Sequence, residues 1–219
     1  MEHEKIFAVI LSGCGVYDGS EIQEAVMTMF AIKKLGAKYL IFAPDIAQHH
    51  VINHITGEEM VEQRNVLIES ARIARGDIAP LSSYDPKAAD GIIFPGGFGA
   101  AKNLSSFAFD GSKCKVIQDV ERAIVQTHKA GKPIGALCIA PVLIASVLKN
   151  VELTIGNDKN IALALEEMGA HHSVAKQGAV VVDKKNLVFT TPCYMLQATI
   201  LDIAEGANSM VKEMLKYMN

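Results

Sequence analysis

Four short apolar runs, Lys5–Leu11, Tyr39–Ala43, Gly91–Phe94 and Pro133–Leu137, each stop at a corner made of glycine, proline, serine or cysteine. Between them lie stretches with helical spacing: Ser20–Leu35 (Ile22, Val26, Met29, Phe30), Met60–Ala74 and Val116–Ala130, stopped by Gly36, Gly76 and Gly131. Ser20 is the expected N-cap of the first. This alternation restricts the fold severely. Strands that recur through intervening helices assemble into a mostly parallel sheet with helices on both faces. The last third adds Ala179–Asp183 and Leu187–Thr190, separated by Lys184-Lys185-Asn186, which is a hairpin signal. Met195–Met218 follows as a long helix with an expected break near Gly206. The class is therefore α/β, a mostly parallel sheet plus a small antiparallel hairpin. With 219 residues, half of them apolar, one core suffices, and residues 1–219 read as a single domain.

Charge and composition remove several function classes. Twenty-four acids against 21 bases leave a net charge of −3, with no lysine or arginine block to track phosphates, so no nucleic acid partner is expected. Runs such as Ile6–Leu11 and Ile134–Leu148 fall short of a membrane span, so no membrane association is expected either. Met1–Lys5 offers no basic n-region or apolar signal core. Cys14, Cys114, Cys138 and Cys193 are too sparse for a disulfide scaffold and contain no CxxC pair. They suit a reducing compartment, and a cytoplasmic location is expected. The seven histidines show no zinc-ligand spacing, and neither a metal nor an organic cofactor is expected.

In open α/β sheets, sites lie at the carboxyl ends of strands, where all these corners fall. In Pro133-Ile134-Gly135-Ala136-Leu137-Cys138-Ile139-Ala140-Pro141 a strand stops at a cysteine and a helix begins with proline in its first turn. A side chain on such a corner stands out above the sheet. Amides at the helix start favour an anion there, so Cys138 is a candidate nucleophile whose thiol pKa should be lowered. The plainer alternative is a cysteine that merely ends a buried strand. Gly96-Gly97 follows another strand, and the amides of Gly97 and Ile139 could form an oxyanion hole, unless the glycines only serve a tight turn. Glu21 and Glu24 lie in the first turns of the first helix, on nearly one face. They either complement the helix dipole or send one protonated carboxyl toward the thiolate. The Gly13–Gly19 loop has the spacing GxGxxxG rather than the dinucleotide GxGxxG, and Asp18, Glu21 and Glu24 would repel a pyrophosphate. Cys14 in that loop reads as a site wall. His54, in a turn-rich segment that could fold over the site, is either a participant in proton transfer or, as most such residues are, an ordinary loop histidine.

With those residues placed, the chain resembles the ThiJ/PfpI superfamily of the class I glutamine amidotransferase-like, flavodoxin-like fold. Within it, Ser12–Glu21, Val51–Glu58, Pro95–Leu104 and Thr191–Met195 resemble the ElbB, or isoprenoid-biosynthesis amidotransferase-like, family over nearly the whole length. The resemblance implies Cys138 as nucleophile, Glu24 as its acid partner (counted back from Leu35-Gly36) with Glu21 outside it, Gly97 and Ile139 as oxyanion amides, and a homodimer. It also implies glutathione-independent conversion of glyoxal or a similar small dicarbonyl to the hydroxy acid, with deglycase activity as a variant. A redox-sensing or regulatory protein linked to isoprenoid supply is the alternative. The chain departs from its relatives in two places. Ile139 stands where peptidase-like members have histidine, and no histidine is followed by proline as amidotransferases require. Peptidase and glutaminase activities are therefore not expected.

Overall fold

The structure, a computed structural model, describes residues 4–218. Its strands are β1 (Ile6–Ile10), β2 (Lys38–Ala43), β3 (Ala79–Pro80), β4 (Gly91–Phe94), β5 (Ile134–Leu137), β6 (Glu152–Leu153), β7 (His171–His172), β8 (Val181–Asp183) and β9 (Val188–Thr191). Its helices are α1 (Ile22–Lys34), α2 (Val66–Ala74), α3 (Phe98–Lys102), α4 (Phe107–Asp110), α5 (Gln118–Lys129), α6 (Pro141–Val147), α7 (Lys159–Glu167) and α8 (Ile200–Leu215). Seven strands form one sheet in the order β3-β2-β1-β4-β5-β9-β8. All neighbours are parallel except β8 and β9, the expected hairpin. β6 and β7 pair separately and in parallel. Strands of two residues carry no alternation, which is why this small sheet is not legible in the sequence.

Both faces of the central strands are covered, so these strands are apolar throughout. Phe7 and Val9 of β1 pack with Ile32 of α1 and with Met210 and Met214 of α8. Ala8 and Ile10 point the other way, into a core with Ile124 of α5 and Leu143 and Ile144 of α6. Burying each large side chain contributes about 1.5–3 kcal/mol, which fixes β1 and β4 at the centre of the sheet.

Three boundaries differ from the sequence expectation, each for a local reason. Glu21, not Ser20, caps α1, because the Ser20 hydroxyl accepts from the Ser12 amide at 2.9 Å and ties down the exit of β1. α2 begins at Val66 rather than Met60. The Met60 amide donates to the Val51 carbonyl at 2.8 Å, Ile52 bridges Glu59, and Asn65 caps the helix by accepting from the Ile68 amide. α8 starts at Ile200 on a Thr199–Asp202 capping box and runs through Gly206 unbroken. That glycine instead lets the helix lie close to Thr191 and Cys193, whose Oγ1 and Sγ would stand 3.3 and 3.4 Å from a Cβ there.

Candidate active site

Cys138 follows β5 directly, with φ +59, and its amide donates to the Thr191 carbonyl of β9 at 3.0 Å. A non-glycine residue in this left-handed region costs of order 1 kcal/mol or more and persists only where its surroundings enforce it. The chain turns through Ala140, and Pro141 opens α6. The thiol lies almost closed off, with Cys138 only 7% exposed.

Gly96 explains how an acid reaches this sulfur. A Cβ on Gly96 would lie 2.5 Å from Cys138 Cβ, 2.6 Å from Glu24 Oε2 and 3.0 Å from Cys138 Sγ. Only the missing side chain lets α1 and the β5 corner meet here. Glu24, in the first turn of α1, is fully buried and hydrogen-bonded to the Cys138 side chain. Its Oε2 accepts from the Gly96 amide at 2.9 Å, and its Oε1 accepts from the Tyr194 amide at 3.2 Å. Gly97 has φ +96, and a Cβ there would fall on the Glu21 amide and the Gly19 carbonyl. The amides of Gly97 and Ile139 both hydrogen-bond the sulfur. Carboxyl and thiol thus have two backbone donors each.

Burial, and secondarily Glu21, pushes the Glu24 carboxyl up to about 8, against the bonds from Tyr194, Cys138 and Gly96. It is therefore protonated at neutral pH, the state in which it can donate to sulfur. Burial also raises the Cys138 thiol, reinforced by Glu24 and Cys193 and opposed by the Gly97 and Ile139 amides. This corrects the expected lowering. Helix α6 has only seven residues and begins three positions beyond the cysteine, so its dipole cannot offset the lost solvation. The two groups titrate as a pair: the first proton to leave creates a single negative charge shared between carboxyl and sulfur.

Of the remaining candidates, Glu21 adjoins this pair, whereas Cys14 lies in the Gly13–Gly19 loop and His54 packs on that loop. The Glu21 carboxylate accepts from the Glu24 amide at 2.6 Å while its own amide donates to the Gly96 carbonyl at 2.9 Å, so it braces the wall. Cys14 is half-buried beside Ser20, and burial, then Glu69, raises its thiol. His54 packs over Gly15 and against the Tyr17 ring. Its Nδ1–H donates to the Ile52 carbonyl at 3.0 Å and its Nε2 accepts from the Tyr17 amide at 3.2 Å. With both nitrogens engaged, His54 fastens the loop and has none left over for proton transfer. The Tyr194 amide is the contact that sequence reasoning missed. Thr191–Met195 stood out only as a family motif, and a backbone donor 170 positions from its acceptor leaves no spacing signal. Among the described residues, no group of three or more His, Cys, Asp or Glu side chains could hold a metal. A wide depression lined by Lys5, Leu35, Leu215 and Met218 lies among the residues that start β1 and end α1 and α8, away from Cys138.

No family model matches the chain. Over 219 residues it is 48% identical to the human "Glutamine amidotransferase-like class 1 domain-containing protein 3, mitochondrial", covering 95% of this chain and 82% of that protein. A rat relative, "ES1 protein homolog, mitochondrial", is 49% identical with the same coverage. The chain belongs to the ES1 family of class I glutamine amidotransferase-like proteins. A solved isoprenoid biosynthesis protein with an amidotransferase-like domain from Ehrlichia chaffeensis superposes with a TM-score of 0.90 at 35% identity, over 97% of this chain and 99% of that one. Glyoxalase III from Candida albicans shares the fold, with a TM-score of 0.63 at 13% identity over 99% and 98% of the two chains. The expected ThiJ/PfpI and ElbB resemblance therefore holds for this ES1-family chain. The expected cytoplasmic location does not, because its relatives are named as mitochondrial proteins. Four cysteines without a CxxC pair are compatible with more than one compartment, so they could not single out the cytoplasm.

Proposed function

We propose that this ES1-family protein is a glyoxalase III-type enzyme that converts glyoxal or a comparably small dicarbonyl to its hydroxy acid through Cys138. The observation that carries this is the buried pair itself. A sulfur and a protonated carboxyl share the bare face of Gly96, each held by two amides, with Cys138 only 7% exposed. So little exposure suits a two- or three-carbon electrophile better than a glycated protein side chain. The known ability of this fold to carry glyoxalase III supports the same conclusion.

In the reaction, the singly ionised pair attacks: the Cys138 thiolate bonds to one aldehyde carbon as the carbonyl π pair takes the Glu24 proton, giving a hemithioacetal and leaving Glu24 as carboxylate. The developing oxyanion faces the Gly97 and Ile139 amides. Glu24, as carboxylate, removes the proton from the hemithioacetal carbon, and a proton returns to the neighbouring carbon through an enediol. That internal transfer oxidises one carbon and reduces the other, leaving a thioester. Water attacks the thioester, the C–S bond breaks, the thiol regains its proton, and glycolate leaves. Glyoxal and one water account for every atom.

A redox sensor would use the same sulfur, and turnover separates the two readings, because a sensor forms no glycolate. Glutamine hydrolysis needs a base that returns a proton to ammonia. The groups acting most strongly on Cys138 are Glu24 and Cys193, neither of them a histidine. The test is glycolate formation from glyoxal by wild type and Cys138→Ala, with ammonia release from glutamine measured alongside. Glycolate lost in the variant and no ammonia in either is the expected result. Equal glycolate from both proteins, or glutamine turnover, would reject the proposal.

A further inference from the structure

Cys138 has a counterpart on the adjacent strand. β5 and β9 are paired in register, Leu137 opposite Thr191, and each is followed by a left-handed cysteine, Cys138 at once with φ +59 and Cys193 after Pro192 with φ +44. Cys193 is fully buried, so its thiol has no access to substrate. What its turn delivers is the next amide. Tyr194 N–H points at Glu24 Oε1, and the Tyr194 hydroxyl donates to Gln23 Oε1 one residue earlier on α1. The turn is seated against α8 at Gly206, where Cys193 Sγ and Thr191 Oγ1 would lie 3.4 and 3.3 Å from a Cβ. The 3.3 Å approach to Thr191 Oγ1 is tighter than nine in ten real Cβ contacts and the 3.4 Å approach to Cys193 Sγ lies at the edge of ordinary contact, so an alanine would press the turn away by a few tenths of an ångström.

We propose that the Cys193 turn, seated in the space that Gly206 leaves on α8, is a positioning element that fixes the Glu24 carboxyl plane so that its second oxygen faces the Cys138 sulfur. The proposal rests on Cys138 and Glu24 being the reacting pair. Two backbone amides, one from each side, hold the two carboxyl oxygens: Gly96 on Oε2 and Tyr194 on Oε1. Removing either lets the carboxyl rotate off the sulfur. The thiolate then loses its acid donor and the carboxylate loses a backbone donor, so both forms of the singly charged pair become less favourable. The ionisable groups facing Glu24 are Glu21 on its own helix, Cys138 from the β5 corner, and Cys193 and Tyr194 from the segment after β9. Gly206→Ala changes none of them chemically.

The experiment is the pH profile of iodoacetamide labelling at Cys138, read by peptide mapping, for wild type, Gly206→Ala and Cys193→Ala/Gly206→Ala. Alanine is the better helix former, so α8 itself favours the change and thermal unfolding should confirm a folded protein. Gly206→Ala is expected to raise the apparent pKa by about half a unit or more and to slow labelling below it about threefold. The double variant removes one of the two atoms that the new methyl meets, leaving Thr191 Oγ1, and should bring the profile part of the way back toward wild type. If Gly206→Ala does not fold, Cys193→Val takes its place, since a β-branched residue resists the left-handed region and pushes the turn out of it. Its profile should shift in the same direction. An unshifted profile in the folded single variant, or no rescue in the double, would overturn the positioning role. A wild-type Cys138 with no titrating reactivity would instead sink the proposed function beneath it, so the two failures are distinguishable.

Discussion

Replacing Glu24 by glutamine removes a group whose proton the folded protein keeps far longer than the unfolded chain does. The carboxyl titrates at about 8 in the fold and near ~4.3 in an unfolded chain. Between those values the folded state binds more protons, so stability is full below the lower pKa and falls as pH rises toward the upper one, by about 1.4 kcal/mol per unit. Integrated over the window, that is ~5 kcal/mol at most, and ~3–5 kcal/mol once part of the charge is shared with Cys138. Glutamine carries no such dependence. It has a constant penalty instead, because its nitrogen cannot accept from the Gly96 or Tyr194 amide, and an unsatisfied buried donor costs about 1–3 kcal/mol. Wild type should therefore be the more stable protein near pH 5, and Glu24→Gln should equal or overtake it near pH 8. Urea midpoints at about pH 5, 6.5 and 8, converted with a common slope, measure the difference. If the gap between the two proteins stays constant to about 1 kcal/mol across that range, Glu24 ionises like an exposed acid, and the account of a protonated donor at the sulfur fails.

Gly96→Ala should cost about 1–3 kcal/mol of overpacking, lowering Tm by several degrees, and should reduce glyoxal kcat/KM by ~10²-fold, because reacting groups moved by about 1 Å lose that much. Unchanged Tm and turnover would mean that the Cys138–Glu24 approach is looser than described. For the wild type, kcat/KM for glyoxal should climb with pH and level off near 8 as the pair gives up its first proton; a plateau already reached at pH ~6 would assign the limb to another group. Iodoacetamide should label Cys138 in the folded protein while a maleimide carrying a polyethylene glycol chain should not; labelling by both would show an opening wider than the 7% exposure allows.

The corner at Cys138 and the Gly96-Gly97 pair were legible in the sequence because each sits directly after an apolar run, where strand ends announce themselves. Helical spacing brought Glu21 and Glu24 to one face without choosing between them, and only the family resemblance, counted back from Leu35-Gly36, pointed to Glu24. What escaped was everything set by distance across the chain. The Tyr194 donor comes from a segment with no periodicity, and the left-handed conformation of Cys193, unlike a glycine's, has no compositional mark. The sign of the Cys138 shift was missed because local sequence shows a helix start but not how completely α1 and the β9 turn exclude water. His54 was read as a candidate for proton transfer for a similar reason, since the carbonyl of Ile52 and the amide of Tyr17 that occupy its ring belong to backbone whose path no pattern predicts.

The sulfur's four amide donors, its own and its partner's, come from the ends of β4, β5 and β9, and the acid comes from α1. No contiguous fragment contains them, and the link from Glu24 to Tyr194 closes a loop of 170 residues. The tuned thiol therefore cannot exist until the last long-range strand has docked, and contacts so distant along the chain form late. During refolding, the return of pH-dependent Cys138 labelling should lag behind the return of helical circular dichroism. In this protein one cysteine's chemistry serves as a clock for the completion of topology.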